Sequence, residues 1–272
     1  MSEEPSDSNK LKIDPRINAR RIEVLRSRGR RRLYVVTTLG ILVALGMGLW
    51  GALQSPLLDL DHIRTEPINK SLPFAHLSPL DIEKASQLRK GDPLFSRDLK
   101  EVRTRVLAIP WVKDVEVSTE WPGTVRLKVS ERSPIAAVRV RGGGWVLVDK
   151  QARLLQAIPD VVGVIPIEGF ETTRKPGEVI DSKAKTSVGL VATFPETLLS
   201  QISRVVHQED GSLLAFIGNA EGKEEVEVRF GNPADLSAKI LDLTALLSNV
   251  GTENVAVFDV RVPGVPSVIR RR

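Results

Sequence analysis

The sequence predicts an α+β protein. A single transmembrane helix comes first, then a β-α-α-β-β unit, then a mostly antiparallel β domain with flanking helices. Three observations carry this expectation. Leu33 to Leu53 is a run of 21 residues without a charge. After Pro110 the apolar period changes from helical spacing to strict alternation. From Ile135 onward, short apolar runs recur between glycine, proline and aspartate turns.

A helix over residues 33–53 would span about 31 Å, close to the hydrocarbon thickness of a bilayer. Tyr34 and Trp50 sit near its ends, where amphipathic rings favour the headgroup level. Residues 1–32 carry ten Lys or Arg against five Asp or Glu. The whole chain has 39 against 34, so residues 33–272 balance at 29 against 29. Asp59, Asp61 and Glu66 follow the run with only Arg64 beside them. The positive-inside bias therefore puts the basic arm, residues 1–32, in the cytoplasm and the body outside. The alternatives are a buried core helix and a cleaved signal peptide. A core helix of this length rarely lacks a polar face, and the exit Trp50-Gly51-Ala52-Leu53-Gln54-Ser55-Pro56 is a poor cleavage site. The arm reads as a topology signal that meets anionic headgroups, with residues 1–10 disordered in composition.

A pI near 9.5 raises the question of nucleic acid, but the surplus charge lies wholly in the arm. The body has no excess positive charge for phosphates, so no nucleic-acid partner is expected. With no cysteine, disulfides, thiolate metal sites and a thiol nucleophile are excluded.

The first external unit, residues 57–131, starts with a short strand from Pro56 to Arg64. Ser78-Pro79-Leu80-Asp81 opens a helix, with Ser78 as cap and Pro79 at the first helical position. A second helix places Leu99, Val102, Val106 and Ile109 on one face. Val115, Val117 and Thr119 then alternate with polar residues, as do Val125, Leu127 and Val129 beyond Trp121-Pro122-Gly123-Thr124. That is a hairpin with one buried face.

The second unit, residues 132–265, opens with strands at Ile135–Val140 and Trp145–Asp149 around three glycines. A strand follows those glycines where a dinucleotide loop needs a helix, so no cofactor is expected. A helix is expected over Ser182–Thr193, and strands over Ile202–Glu209, Leu213–Ile217 and Glu225–Phe230. Asn232-Pro233 opens a helix with Leu236, Ile240, Leu243, Leu246 and Leu247 on one stripe. Val255 to Val262 reads as the last strand, and residues 266–272 as a tail. His62, His76 and His207 fall on different elements without metal-ligand spacing, and no nucleophile or phosphate-loop motif occurs. Neither a catalytic role nor a small-molecule substrate is expected.

The order of the first unit resembles a POTRA domain, and its motifs resemble the FtsQ/DivIB cell-division family. They are Gly91-Asp92-Pro93-Leu94-Phe95, Pro110-Trp111-Val112, Trp121-Pro122 and Glu131-Arg132-Ser133-Pro134. Val148-Asp149, Val228-Arg229-Phe230-Gly231, Lys239-Ile240 and Phe258-Asp259-Val260-Arg261 extend the likeness through the second unit. Lys150-Gln151-Ala152 departs from the family's usual turn there. The likeness implies a membrane-anchored scaffold at the septum, docking small single-pass coiled-coil partners of the FtsB and FtsL type. The rival readings are a POTRA-type export chaperone and a membrane-anchored wall-active enzyme. The expected docking strand is Phe258-Asp259-Val260-Arg261-Val262, at a sheet edge that an incoming strand can complete. Arg261 would specify the partner through a carboxylate; alternatively it is an exposed strand arginine or pairs with Asp259 or Asp242.

Overall fold

The computed structural model describes residues 34–48, 50–51, 59–69, 71–93, 98–218 and 225–271. Two compact units divide the chain: Met1–Asp59 with Pro93–Ser96, and Leu60–Asp92 with Arg97–Arg272. In the first, residues 34–48 and 50–51 are helical and their described side chains are exposed. Among the described residues no helix is long and apolar enough to cross a membrane. The basic arm and residues 33, 49, 52 and 53 of the expected span lie outside the described residues.

The second unit begins with β1 (His62–Pro67), α1 (Pro79–Ser86), α2 (Leu99–Leu107), β2 (Val112–Glu120) and β3 (Thr124–Glu131). These make a three-stranded sheet in the order β1-β3-β2, with β1 parallel and β2 antiparallel to β3. Val115, Val125, Leu127 and Val129 are buried, as are Ile82 of α1 and Val102 and Val106 of α2. The period-two and period-3.6 patterns thus point at one another across a single core. β1 falls further along the chain than Pro56–Arg64, because its partner Thr124 is set opposite His62. Ser78 makes no side-chain cap to α1. Its carbonyl accepts from Asp81 and Ile82 instead, and Pro79 has no N–H to satisfy. Asp98 does cap α2, accepting from Lys100 N at 2.8 Å.

The chain continues through β4 (Pro134–Val140), β5 (Trp145–Asp149), β6 (Leu154–Ile158), β7 (Ile165–Thr172), α3 (Ser182–Thr193) and α4 (Glu196–Leu199). Then come β8 (Ile202–His207), β9 (Leu213–Ile217), β10 (Val226–Gly231), α5 (Leu236–Val250), β11 (Val255–Asp259) and β12 (Ser267–Arg270). They form a nine-stranded sheet in the order β12-β11-β10-β9-β8-β7-β4-β5-β6. It is mixed, with an antiparallel majority. β7–β8 and β10–β11 are parallel with helices in the crossover between them, and β4–β7 is parallel with β5 and β6 between them. Val138, Ile167, Val205, Val228 and Phe258 of the sheet are buried in one cluster with Val188 and Val191 of α3 and Ile240 and Leu243 of α5.

The C-terminal end differs from the sequence expectation. Residues 267–270 are not tail but strand, and β12 pairs antiparallel with β11. Val255 to Asp259 is therefore bonded on both sides, by β10 and by β12. The expected edge strand lies inside the sheet, and β12 is the edge. A register shift between Val255 and Val257 brings Val255 into the same core cluster as Phe258, and Val257 is buried outside that cluster.

Lys239 shows how the sheet and α5 are joined. Its ammonium is buried and donates to Phe230 O at 2.9 Å, Asn232 O at 2.8 Å and Asn232 Oδ1 at 3.1 Å. Three acceptors satisfy its three donors, and burial lowers its pKa.

Gly169 interrupts β7 with φ at +92°, where the β4–β7 register slips. A Cβ there would stand 1.9 Å from the His207 carbonyl oxygen. Gly169→Ala must therefore shift backbone against backbone and hold a left-handed φ. The expected loss is about 3 kcal/mol, read from the chemical-denaturation midpoint of the detergent-solubilised chain. A shift below about 0.5 kcal/mol would show that β7 can slide away from β8.

Candidate docking edge and the junction behind it

Glu131 ends β3, and Arg132 and Ser133 lead directly to β4, so one stretch of chain joins the two sheets. Arg132 N donates to Trp111 O at 2.8 Å, and its Nε donates to Val112 O at 3.0 Å. Its Nη1 reaches Asp149 Oδ2 at the end of β5, and Gln151 Oε1 at 2.9 Å. Asp149 Oδ1 in turn accepts from Gln151 N and Arg153 N, each at 2.9 Å. Arg153 Nη2 returns to Leu107 O of α2 at 3.2 Å. Desolvation lowers the Arg153 pKa, and the neighbouring Arg132 adds to the effect. Thus the departure at Lys150-Gln151-Ala152 still forms a turn, and its backbone wraps the Asp149 carboxylate.

Glu131 secures the preceding loop. Its Oε2 accepts from Ala75 N at 2.8 Å and its Oε1 from His76 N at 2.7 Å. The His76 ring stacks on Trp111 with centroids 4.0 Å apart and planes 7° off parallel. Trp111 is core at 7% exposure. Gly177 approaches Pro110, whose Cγ would stand 3.6 Å from an added Cβ. Five motif residues, Pro110, Trp111, Val112, Glu131 and Arg132, thus meet at one junction. Trp121 and Pro122 do not join them; they form the hairpin tip, at the other end of β3.

The expected docking residues separate into two groups. Phe258 and Val260 are fully buried and hold β11 in the core. Arg261 and Val262 lie beyond β11, in the connection to β12, and are exposed. Of the alternatives for Arg261, the structure realises the pair with Asp259. Nε lies 3.0 Å from both carboxylate oxygens, Nη2 is 2.6 Å from Oδ2, and Arg261 N donates to Oδ1 at 3.1 Å. The guanidinium holds the Asp259 carboxyl below the usual carboxylate range, and Arg261 is itself raised. Asp242 accepts instead from Gly264 N at 2.8 Å, fixing the turn before β12.

On β12, Arg271 N donates to Asn254 O at 2.9 Å, toward β11. Strand alternation therefore turns the main-chain groups of Val268 and Arg270 away from the sheet. No strand among the described residues lies on that side. Ile269, Val262 and Val265 are exposed apolar side chains along this end, as is Leu241 of α5. The sequence reading missed this edge, although Pro263-Gly264 before Val265 to Ile269 carries a turn-then-strand signal.

The histidines stay apart, as the sequence reading has them. His207 Nδ1 lies 3.0 Å from the buried Ser187 hydroxyl, which ties β8 to α3, and burial lowers the imidazole pKa. Among the described residues no three carboxylates or imidazoles gather as a metal site.

These features define a protein with one POTRA unit leading into a larger mixed sheet. Residues 74–132 match the family described as POTRA domain, FtsQ-type. The chain is 27% identical over 245 residues to the cell division protein FtsQ of Streptomyces bingchenggensis, covering 88% of this chain and 86% of that one. It is 27% identical over 227 residues to FtsQ of Rhodothermus marinus, covering 78% and 76%. The extracytoplasmic domain of DivIB from Geobacillus stearothermophilus superposes on 46% of this chain with a TM-score of 0.31 and 18% identity. Residues 74–132 thus carry an FtsQ-type POTRA domain, and most of the chain is similar to FtsQ cell-division proteins.

Arg132 and Asp149 are both largely buried, with side-chain exposures of 13% and 3%. Removing one partner leaves the other charge in a poorly solvated site. Arg132→Ala is therefore expected to cost about 3 kcal/mol in chemical denaturation of the whole chain. A loss no larger than that of an exposed pair, about 0.5 kcal/mol, would mean that water replaces the guanidinium at the junction.

Proposed function

We propose that this chain is a bitopic scaffold of the bacterial division machinery, linking other membrane-anchored division proteins at the septum where wall is synthesised. One observation carries the docking half of this reading: the sheet ends in β12, whose outer main-chain groups face no other strand among the described residues. A partner segment that adds a strand there gains main-chain bonds, while Ile269, Val262 and Val265 offer apolar contact beside it. The family likeness supports partners of the FtsB and FtsL type. Phe258, Asp259 and Val260 then act from behind, as the strand that holds β12 in register. Arg261 and Val262 flank the edge, with Arg261 steadied by Asp259.

The anchor half rests on the chain's first unit. Tyr34, Val35, Val36, Leu39, Ile41, Leu42, Val43, Leu45, Met47 and Trp50 are all large apolar side chains left exposed. Such a helix surface in water is strongly unfavourable, and lipid removes the penalty. With the arginine asymmetry, this supports a membrane-embedded segment over residues 33–53, with residues 1–32 in the cytoplasm. A periplasm-active reporter fused after Arg272 is expected to be active, and a cytoplasm-active one silent. The reverse result would overturn the topology and the scaffold with it.

The docking edge is tested separately. Arg270→Pro removes an outward N–H while leaving the bonds between β12 and β11 in place. Partner binding is expected to fall at least about thirtyfold, with the thermal midpoint nearly unchanged. Arg261→Glu should also weaken binding without unfolding the chain, because the side chain is 59% exposed. Undiminished binding by Arg270→Pro would place the docking surface elsewhere.

A further inference from the structure

β2 is an edge of the three-stranded sheet, whose order is β1-β3-β2. The register shows which of its main-chain groups face outward. Ile68 N donates to Val129 O, so Val129 turns its groups toward β1. Val115 is the partner of Val129 on β2 and turns its own groups the other way, to the outer side. Alternation puts the groups of Val117 and Thr119 on that same side. A strand of nine residues with such an edge invites another chain to add to it.

The edge is not open along its whole length. Asp114 Oδ1 accepts from Val115 N at 2.8 Å, and Arg103 Nε of α2 donates to Val115 O at 3.0 Å. Arg103 Nη2 also donates to Asp114 Oδ1 at 2.7 Å, so the two side chains hold each other over Val115. A register shift between Val112 and Asp114 adds a bulge at the same end. Both outward groups of Val115 are thus taken by side chains, while those of Val117 and Thr119 have no partner among the described residues. Arg103 and Asp114 are 51% and 54% exposed, and a pair so exposed adds little to stability. What it does do is cover the edge. Asp114, Glu116 and Glu120 alternate along the strand, and Arg126 holds Glu120 at 2.7 Å. Glu116 is exposed and stands opposite Lys128 without an ion pair among the described residues.

We propose that the Arg103–Asp114 pair is an autoinhibitory contact that shuts the β2 edge, and that displacing it admits an extended segment with Lys or Arg at alternate positions. An incoming strand must break the bonds at Val115 before it can pair along the edge. A neutral strand gains nothing at Glu116 to offset that loss, whereas a basic one gains an opposite-charge neighbour on the adjoining strand. With the pair displaced, Val115 joins Val117 and Thr119 in one continuous row of outward groups.

The probe is a labelled synthetic peptide alternating Lys and Val, titrated with the detergent-solubilised full chain and read by fluorescence anisotropy. Arg103→Ala with Asp114→Ala removes one charge of each sign, so the net charge that the peptide meets is unchanged. This double variant is expected to bind about tenfold more tightly than the unaltered chain. Adding Thr119→Pro, which takes away an outward N–H and no bond to β3, should abolish most of that gain. Glu116→Lys should move the preference to a peptide alternating Glu and Val. Circular dichroism checks that the double variant is folded; Arg103→Met with Asp114→Thr, which keeps the bulk, replaces it if not. A folded variant that binds no better than the unaltered chain overturns the proposal. A gain that survives Thr119→Pro puts the peptide elsewhere and overturns it as well. An equal gain for the Glu–Val peptide overturns the choice of a basic occupant.

Discussion

The two sheets share one continuous piece of chain, and the buried charge at that crossing constrains everything beyond it. β3 runs into β4 through Glu131, Arg132 and Ser133, with no linker to absorb a change in angle. Arg132 reaches back to Val112 O and forward to Asp149, so a single guanidinium bonds to β2 and to the end of β5. Such an ion pair adds little net stability, since desolvation offsets most of the attraction. What it adds is a single permitted geometry, because any other angle leaves Asp149 buried without its cation. Glu131 does the same for the loop before α1, using two backbone N–H groups as partners. The angle at which the larger sheet departs is thus fixed by charge satisfaction rather than by apolar contact alone.

From that junction the nine-stranded sheet carries position outward to β12. The register is pinned at two unlike points. At Gly169 the backbone of β7 approaches the His207 carbonyl so closely that only a residue without Cβ fits. Near β11, Lys239 holds the end of β10 to α5 with three bonds from one buried ammonium. Both devices remove freedom at places where a one-residue slip would turn buried side chains to solvent. The β12 edge is therefore presented by a rigid support, although the edge strand itself is short.

Much of this was legible in the sequence. The alternation at 115–119 and 125–129, the helical stripe ending at Leu247 and the helix Ser182–Thr193 all depend on local periodicity, which one strand or helix displays by itself. β12 escaped because four residues give too few repeats to separate alternation from chance, and the bulge between Val255 and Val257 breaks the period just before it. The exposed edge was consequently placed one strand too far in. The pairing of Arg132 with Asp149 is hidden for a different reason. The two residues are 17 apart, and their meeting depends on where β5 lies in the sheet, which no local pattern encodes. The family likeness marked Glu131-Arg132 and Asp149 as motif positions without saying that one holds the other. For Arg261 the sequence left an internal pair open beside a docking role, and geometry selects the pair with Asp259 while leaving the side chain at the surface.

An open edge is ordinarily a hazard, since it invites any extended segment to add to the sheet. β12 limits that hazard in ways that follow from its sequence. It is only four residues long, and Arg270 and Arg271 place charge at one end of it. Pro263 and Pro266 bound the turn at the other end and cannot donate to an incoming strand. A segment that adds there finds few main-chain bonds, so main-chain pairing alone gives weak binding. Tight binding must come from side chains that fit Ile269, Val262 and Val265 and tolerate the Asp259–Arg261 pair. The short edge thus shifts discrimination from backbone to side chains.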